Sequence, residues 1–130
     1  MRFFRRKQAD ADQARSPVDL PPEVAAIPWR EPWHPIPPAS FGGRLEDEAG
    51  PKHVLYRRKA IAIGRRYDND DVLYYLPDGP GTLAVVHLTY SRQTPEPNPQ
   101  LPWTDLFTSV QEWIDRRMIP DAEELLGGTA

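Results

Sequence analysis

The stretch Asp68-Asn-Asp-Asp-Val-Leu-Tyr-Tyr-Leu-Pro-Asp-Gly-Pro-Gly-Thr-Leu-Ala-Val-Val-His-Leu-Thr-Tyr-Ser91 decides the fold. It reads as a turn, a strand, a turn and a strand. Asp68-Asn-Asp-Asp71 is turn chemistry, because Asn and Asp side chains accept local hydrogen bonds and tolerate left-handed backbone angles. Pro77-Asp-Gly-Pro-Gly81 is the second turn, with glycines where a positive φ is needed. The runs 72–76 and 83–91 are rich in β-branched and aromatic residues. Upstream, Ile61 and Ile63 alternate with Ala60, Ala62 and Gly64, a period of two that predicts a strand over 54–67. These runs predict a three-stranded antiparallel meander with room for a fourth strand.

Turn length sets the register. With Tyr67 facing Val72, the residues Ile61, Ile63, Tyr67, Val72, Tyr74 and Leu76 share one face. With Leu76 facing Thr82, Val72 faces Val86, and Ala84, Val86 and Leu88 join that face. His87 then falls opposite Asp71 on the other face, near Arg66, Tyr75 and Thr89. A slip of one residue in the second turn would reverse the third strand. The first register is preferred, because Ala84, Val86, Leu88 and Tyr90 form the more apolar half of that strand and should meet a helix.

That helix is predicted over 104–118. Thr104 is the expected cap, Phe107, Val110, Trp113 and Ile114 follow helical spacing, and Pro120 stops it. Residues 121–126 add a short turn. A second short helix is expected over 41–49, ended by Gly50-Pro51. Eight of the sixteen prolines lie between Pro17 and Pro38, so residues 1–38 read as an extended arm. Its Trp29 or Trp33 is expected to fill a groove on the domain, the alternative being that the segment serves as a ligand for a partner. The expected organisation is an arm over 1–38, one α+β domain over 39–126 and a frayed end over 127–130.

At 130 residues the chain has room for one domain. It has no cysteine, which excludes disulfides, thiol nucleophiles and Cys-ligated metal sites. No segment is apolar enough to span a membrane, and Met1-Arg-Phe-Phe-Arg-Arg-Lys7 lacks the apolar core of a signal peptide. A cytoplasmic location is expected. The net charge of −3 is unevenly spread, with six basic and no acidic residues over 51–67.

The candidate catalytic pair is Asp71 and His87, with Arg66 and Tyr75 beside it. A carboxylate next to imidazole orients the ring and raises its basicity. A structural cross-strand pair is the plainer account. Lys52, Arg57, Arg58, Lys59, Arg65 and Arg66, interleaved with Tyr56 and Tyr67, carry a single-stranded nucleic-acid reading. Strand alternation would split those charges over two faces, so a charged, solvated strand explains them as well. His34, His53 and His87 lie in separate elements without ligand spacing, and Asp68-Asn-Asp-Asp71 lacks the glycine and distal glutamate of a calcium loop, so no metal and no cofactor is expected.

Asp70-Asp-Val-Leu73, the turn Tyr75-Leu-Pro-Asp-Gly79, the run Ala84-Val-Val-His-Leu-Thr-Tyr90 and the late Glu112-Trp113 together resemble a group of small uncharacterised bacterial proteins. The likeness covers about residues 45–118. It implies a bacterial, cytosolic, single-domain protein and assigns no activity or site residue. The favoured function is a non-enzymatic protein-interaction module, with a protein partner or a second copy bound by the arm (Trp29, Trp33) and by a sheet face carrying Leu73, Tyr75, Leu83 and Val85. The alternatives are a small hydrolase-like or ligand-binding site at His87 and Asp71, and nucleic-acid binding by the basic strand.

Overall fold

The computed structural model describes residues 20–38, 44–78, 82–90 and 99–127. Five strands form one antiparallel sheet in the order of the chain: β1 (Trp33–Pro35), β2 (Ile61–Arg66), β3 (Asp71–Tyr75), β4 (Leu83–His87) and β5 (Thr104–Phe107). Short helices α1 (Pro22–Ala25) and α2 (Arg44–Glu48) precede the central strands. The long helix α3 runs unbroken through Val110–Trp113, a π-helical stretch Ile114–Met118 and Ile119–Gly127. The protein is therefore α+β, an antiparallel sheet with a C-terminal helix. The expected three or four strands become five, because both flanking segments contribute one.

One added strand comes from the arm. Trp33–Pro35 pairs with β2, and the backbone N–H groups of Ile36 and Tyr67 extend the ladder to Ile63 and Pro32 at 3.1 Å each. The other comes from the predicted helix. Thr104 does not cap a helix but opens β5, which pairs with β4 from Val86↔Thr104 to Leu83↔Phe107. The helix starts five residues later, where Ser109 Oγ accepts the Glu112 N–H at 3.0 Å and the Glu112 carboxylate accepts the Thr108 N–H at 2.7 Å. This is a box of reciprocal caps that satisfies donors the first turn leaves unpaired. Pro120 does not stop α3 either. A proline inside an α-helix clashes with the carbonyl four residues back. The wider π-helical turn over Ile114–Met118 lies immediately before it and opens that spacing.

The β3–β4 register is the one expected, with Val72↔Val86 and Asp71↔His87. The β2–β3 register is not. Arg65, rather than Tyr67, faces Val72, and a bulge between Ala62 and Gly64 shifts the pairing again. The expected common face therefore divides. Ile61 and Ile63 join Leu73, Leu83, Val85 and Phe107 beneath Val110, Trp113, Ile114 and Met118 of α3. Val72, Tyr74, Leu76, Ala84, Val86 and Leu88 pack on the opposite side against Leu45, Ala49 and Leu55. The helix thus covers the face expected to be open.

The arm completes that cover. Trp33 is almost fully buried, and Trp29 and Trp33 meet Trp113 edge-on, with ring centroids 5.8 and 5.4 Å apart. Gly64 permits this approach, since a Cβ there would stand inside the Trp29 ring. Each such buried side chain contributes about 2–3 kcal/mol, so the arm is part of the core.

The two sheet edges differ. On β1 the outward positions are Trp33 and Pro35. Trp33 N–H is spent on the Arg30 carbonyl at 2.9 Å, and proline has no N–H. On β5 the outward positions are Thr104 and Leu106, whose backbone groups have no partner among the described residues.

Candidate functional site

The end of the sheet where β3 begins, β4 ends and β5 begins gathers Asp71, His87 and Trp103 into one row. Asp71 faces His87, and His87 N–H donates to the Trp103 carbonyl at 2.9 Å, carrying the β4–β5 register one pair further. Arg117 reaches the row from α3 and Asp105 from β5. Together with Val85 and Thr104 these residues line a cavity of about 470 Å³.

The chemistry of the row follows from its hydrogen bonds. His87 Nδ1 lies 2.7 Å from Asp71 Oδ1. A carboxylate only accepts, so Nδ1 carries the proton and Nε2 of the neutral ring is an acceptor. Asp71 is 8% exposed, and its Oδ2 accepts from Arg117 at 2.9 Å. Arg117 also approaches Asp105 at 3.5 Å and Asp121 at 3.6 Å. Asp121 in turn accepts the Trp33 indole N–H at 2.8 Å and lies 3.2 Å from Arg66. Arg66 makes a two-pronged pair with Asp68 at 2.8 Å. The Asp68 hydrogen bond holds the Arg66 guanidinium above its ordinary pKa, and the same bond holds the Asp68 carboxyl below its own. A chain of alternating charge thus runs from the β2–β3 turn through α3 to His87.

The accessible surface of the cavity is distinct from this chain. The His87 side chain is 47% exposed and that of Asp105 60%. Trp103 is 56% exposed, against the nearly complete burial of Trp33 and Trp113. Its indole also walls a second cavity of about 630 Å³ with Lys52, Val54 and Gln100, so it forms a ridge between two hollows.

Of the expected catalytic group, the fold joins Asp71 and His87 and separates the others. Arg66 touches neither side chain and connects to them by contacts through Asp121 and Arg117, with a weaker Coulombic attraction to Asp71. Tyr75 pairs with Leu83 at the far end of β3, roughly 13 Å along the strand, and Thr89 turns away to Glu48. The expected interaction face is not open, because Leu73, Leu83 and Val85 are buried under α3 with Trp33, and Trp29 and Tyr75 pack against them. The basic residues do not form one surface. Arg65 donates to the Asn69 carbonyl, Arg58 pairs with Asp78 at 3.5 Å, and Lys52, Arg57 and Lys59 lie exposed in the turn region before β2. His53 is buried and structural. Its Nδ1 accepts the Leu55 N–H at 3.0 Å and its Nε2 donates to the Pro102 carbonyl at 2.8 Å. Among the described residues no three His, Asp or Glu side chains converge to hold a metal ion.

Sequence reasoning missed Trp103, Asp105 and Arg117. Arg117 had a legible sign, a charge within the apolar helical stripe Trp113, Ile114, Met118 and Ala122. A charge there must meet a partner across the interface. Among the described residues, no helix is long and apolar enough to cross a membrane. No family model matches the chain, and neither a curated protein nor a solved structure matches it.

Proposed function

We propose that the protein is a non-enzymatic binding module whose working surface is the cleft at Asp71, His87, Trp103 and Asp105. The observation that carries this reading is Trp103, more than half exposed beside a sheet edge that has no partner among the described residues. Exposed tryptophans at the rim of a cavity are the side chains that most often dominate an interface energetically. The Arg117–Asp71–His87 chain supports the row from behind and fixes the ring, which limits what is lost on binding.

The test is a screen of a displayed peptide library against the wild-type chain and the W103A variant. Ligands that bind the wild type and lose at least about tenfold with W103A, as expected for an indole anchor, support the reading. Ligands indifferent to W103A and to H87A overturn it.

A second reading has one observation in its favour. A buried carboxylate holds Nδ1 of a cavity-lining His87, whose Nε2 has no partner among the described residues, the arrangement of a general base. Thr104 supplies the only hydroxyl of the lining among the described residues, and its Oγ1 donates to the Pro102 carbonyl at 2.9 Å. The nucleophile would therefore be water. Turnover of simple ester substrates that disappears in H87A would favour this reading over the first.

A further inference from the structure

We infer that the cleft takes a guanidinium group, carried by an arginine of an extended polypeptide laid along β5; this rests on the cleft being the binding surface. The argument is an account of donors and acceptors. Arg117, the one cation of the lining among the described residues, spends its nitrogens on Asp71, Asp105 and Asp121. It has no free fork to offer an anion. Of the charged and titratable side chains of the described lining, those that remain accessible, His87 and Asp105, can accept. In the neutral ring His87 Nε2 has a lone pair, because Nδ1–H is committed to Asp71. Asp105 is largely exposed, and its single ion-pair contact among the described residues, with Arg117 at 3.5 Å, is long for a charge-assisted bond.

A lining of acceptors selects a ligand rich in donors. The exposed Trp103 face narrows the choice, since an indole attracts a cation over its ring. A planar guanidinium can stack on the indole and donate sideways to Asp105 and His87 at once, whereas an ammonium cannot do both. The polypeptide origin comes from the edge. Thr104 and Leu106 turn their backbone groups outward without partners among the described residues, and Leu106 adds an exposed apolar side chain. An added strand would pair there while its side chains reach the row one strand away.

The test is an NMR titration of the full chain with a blocked five-residue peptide of β-branched residues around a central arginine. The same peptide with citrulline, which keeps the shape and removes the charge, is the control, together with free arginine and inorganic phosphate. The expected result is a shift at His87, Trp103, Asp105 and the Thr104 and Leu106 amides. Affinity should fall about tenfold with citrulline, and by about three- to thirtyfold in W103A and in D105N, the range a cation–indole or surface charge contact spans. Because Asp105 is exposed, D105N tests the proposal even if another variant unfolds.

Equal affinity for the citrulline peptide, or phosphate shifting the same resonances, overturns the guanidinium assignment while leaving the cleft a binding surface. Free arginine binding as well as the peptide overturns the polypeptide source. A dimer abolished by W103A makes the occupant a second copy and also overturns it. If no probe shifts these resonances the proposal fails, and the peptide screen judges the cleft independently.

Discussion

Glu48 is a buried carboxylate that organises a turn. Its oxygens accept the Thr89 N–H, the Thr89 hydroxyl and the Tyr90 N–H, each at 2.7 Å, and pair with Arg44 at 3.1 Å. Those bonds hold Tyr90 at a φ of 59°, an angle a non-glycine residue keeps only when its surroundings insist. Glu48→Ala removes the acceptor of three hydrogen bonds and of the Arg44 ion pair, and is expected to cost about 3 kcal/mol in urea unfolding. Tyr74 presents the opposite case. Its hydroxyl is buried without a partner among the described residues, and burial, with smaller contributions from Glu48 and Tyr90, pushes its pKa up. Tyr74→Phe removes an unpaid desolvation and is expected to stabilise the fold by about 1 kcal/mol. The sign with pH is definite. A phenol whose folded pKa is raised costs stability once the unfolded chain ionises, so the gain from Tyr74→Phe should widen above pH of about 10.

At the scale of elements, legibility followed the local chemistry. The β3–β4 register could be read because Ala84, Val86 and Leu88 belong on one face with Val72, Tyr74 and Leu76, and that register placed His87 on Asp71. Which face met the helix could not. β3 is buried on both faces for its first four residues, and so is β4. Alternation carries no information when both sides of a strand are covered. β5 was hidden for a related reason: Thr104–Phe107 is four residues long, and Phe107 fits the helical spacing of Val110, Trp113 and Ile114 as well as it fits a strand. The cleft inherited both difficulties, since Trp103 and Asp105 belong to that strand and Arg117 faces the sheet only once α3 covers the Leu73 side. Pro120 lies inside α3 behind the π-helical stretch. Pro120→Ala should let the helix relax toward regular α geometry and gain about 1 kcal/mol, less than the roughly 3 kcal/mol of an unadapted proline. Circular dichroism and urea midpoints would register this. A loss of stability would show that the wide turn is held by packing of Ile114 and Met118 rather than by the proline.

For the whole molecule, the arm is the decisive part. Val24, Ile27 and Trp33 are buried in the cluster under α3, together worth about 6 kcal/mol, and domains of this kind have about 5–15 kcal/mol in all. A chain lacking residues 1–38 is therefore expected to lose its cooperative thermal transition. Retention of a sharp transition would mean that the arm is dispensable. Acid sensitivity is also a property of the whole surface. Asp68 is held below the usual carboxylate range by its bond to Arg66, and Glu112 by the Thr108 N–H, then the Thr108 hydroxyl and Arg116. Groups with depressed folded values contribute stability above the unfolded value, about 4, and lose it as pH falls through the folded one. The urea midpoint should drop between pH 5 and 2 (about two units around that value). The double variant D68N/E112Q, weaker at neutral pH, should converge with the wild type at the acid end.

The unequal edges of the sheet set a limit on stoichiometry. β1 offers no outward donor, since Trp33 N–H is taken by Arg30 and Pro35 has none, while β5 is unpaired on its outer side among the described residues. A sheet with two receptive edges can add strands head to tail without end. One receptive edge stops after a single addition, so assembly through this sheet closes at a one-to-one complex or a two-fold pair and does not propagate into a filament.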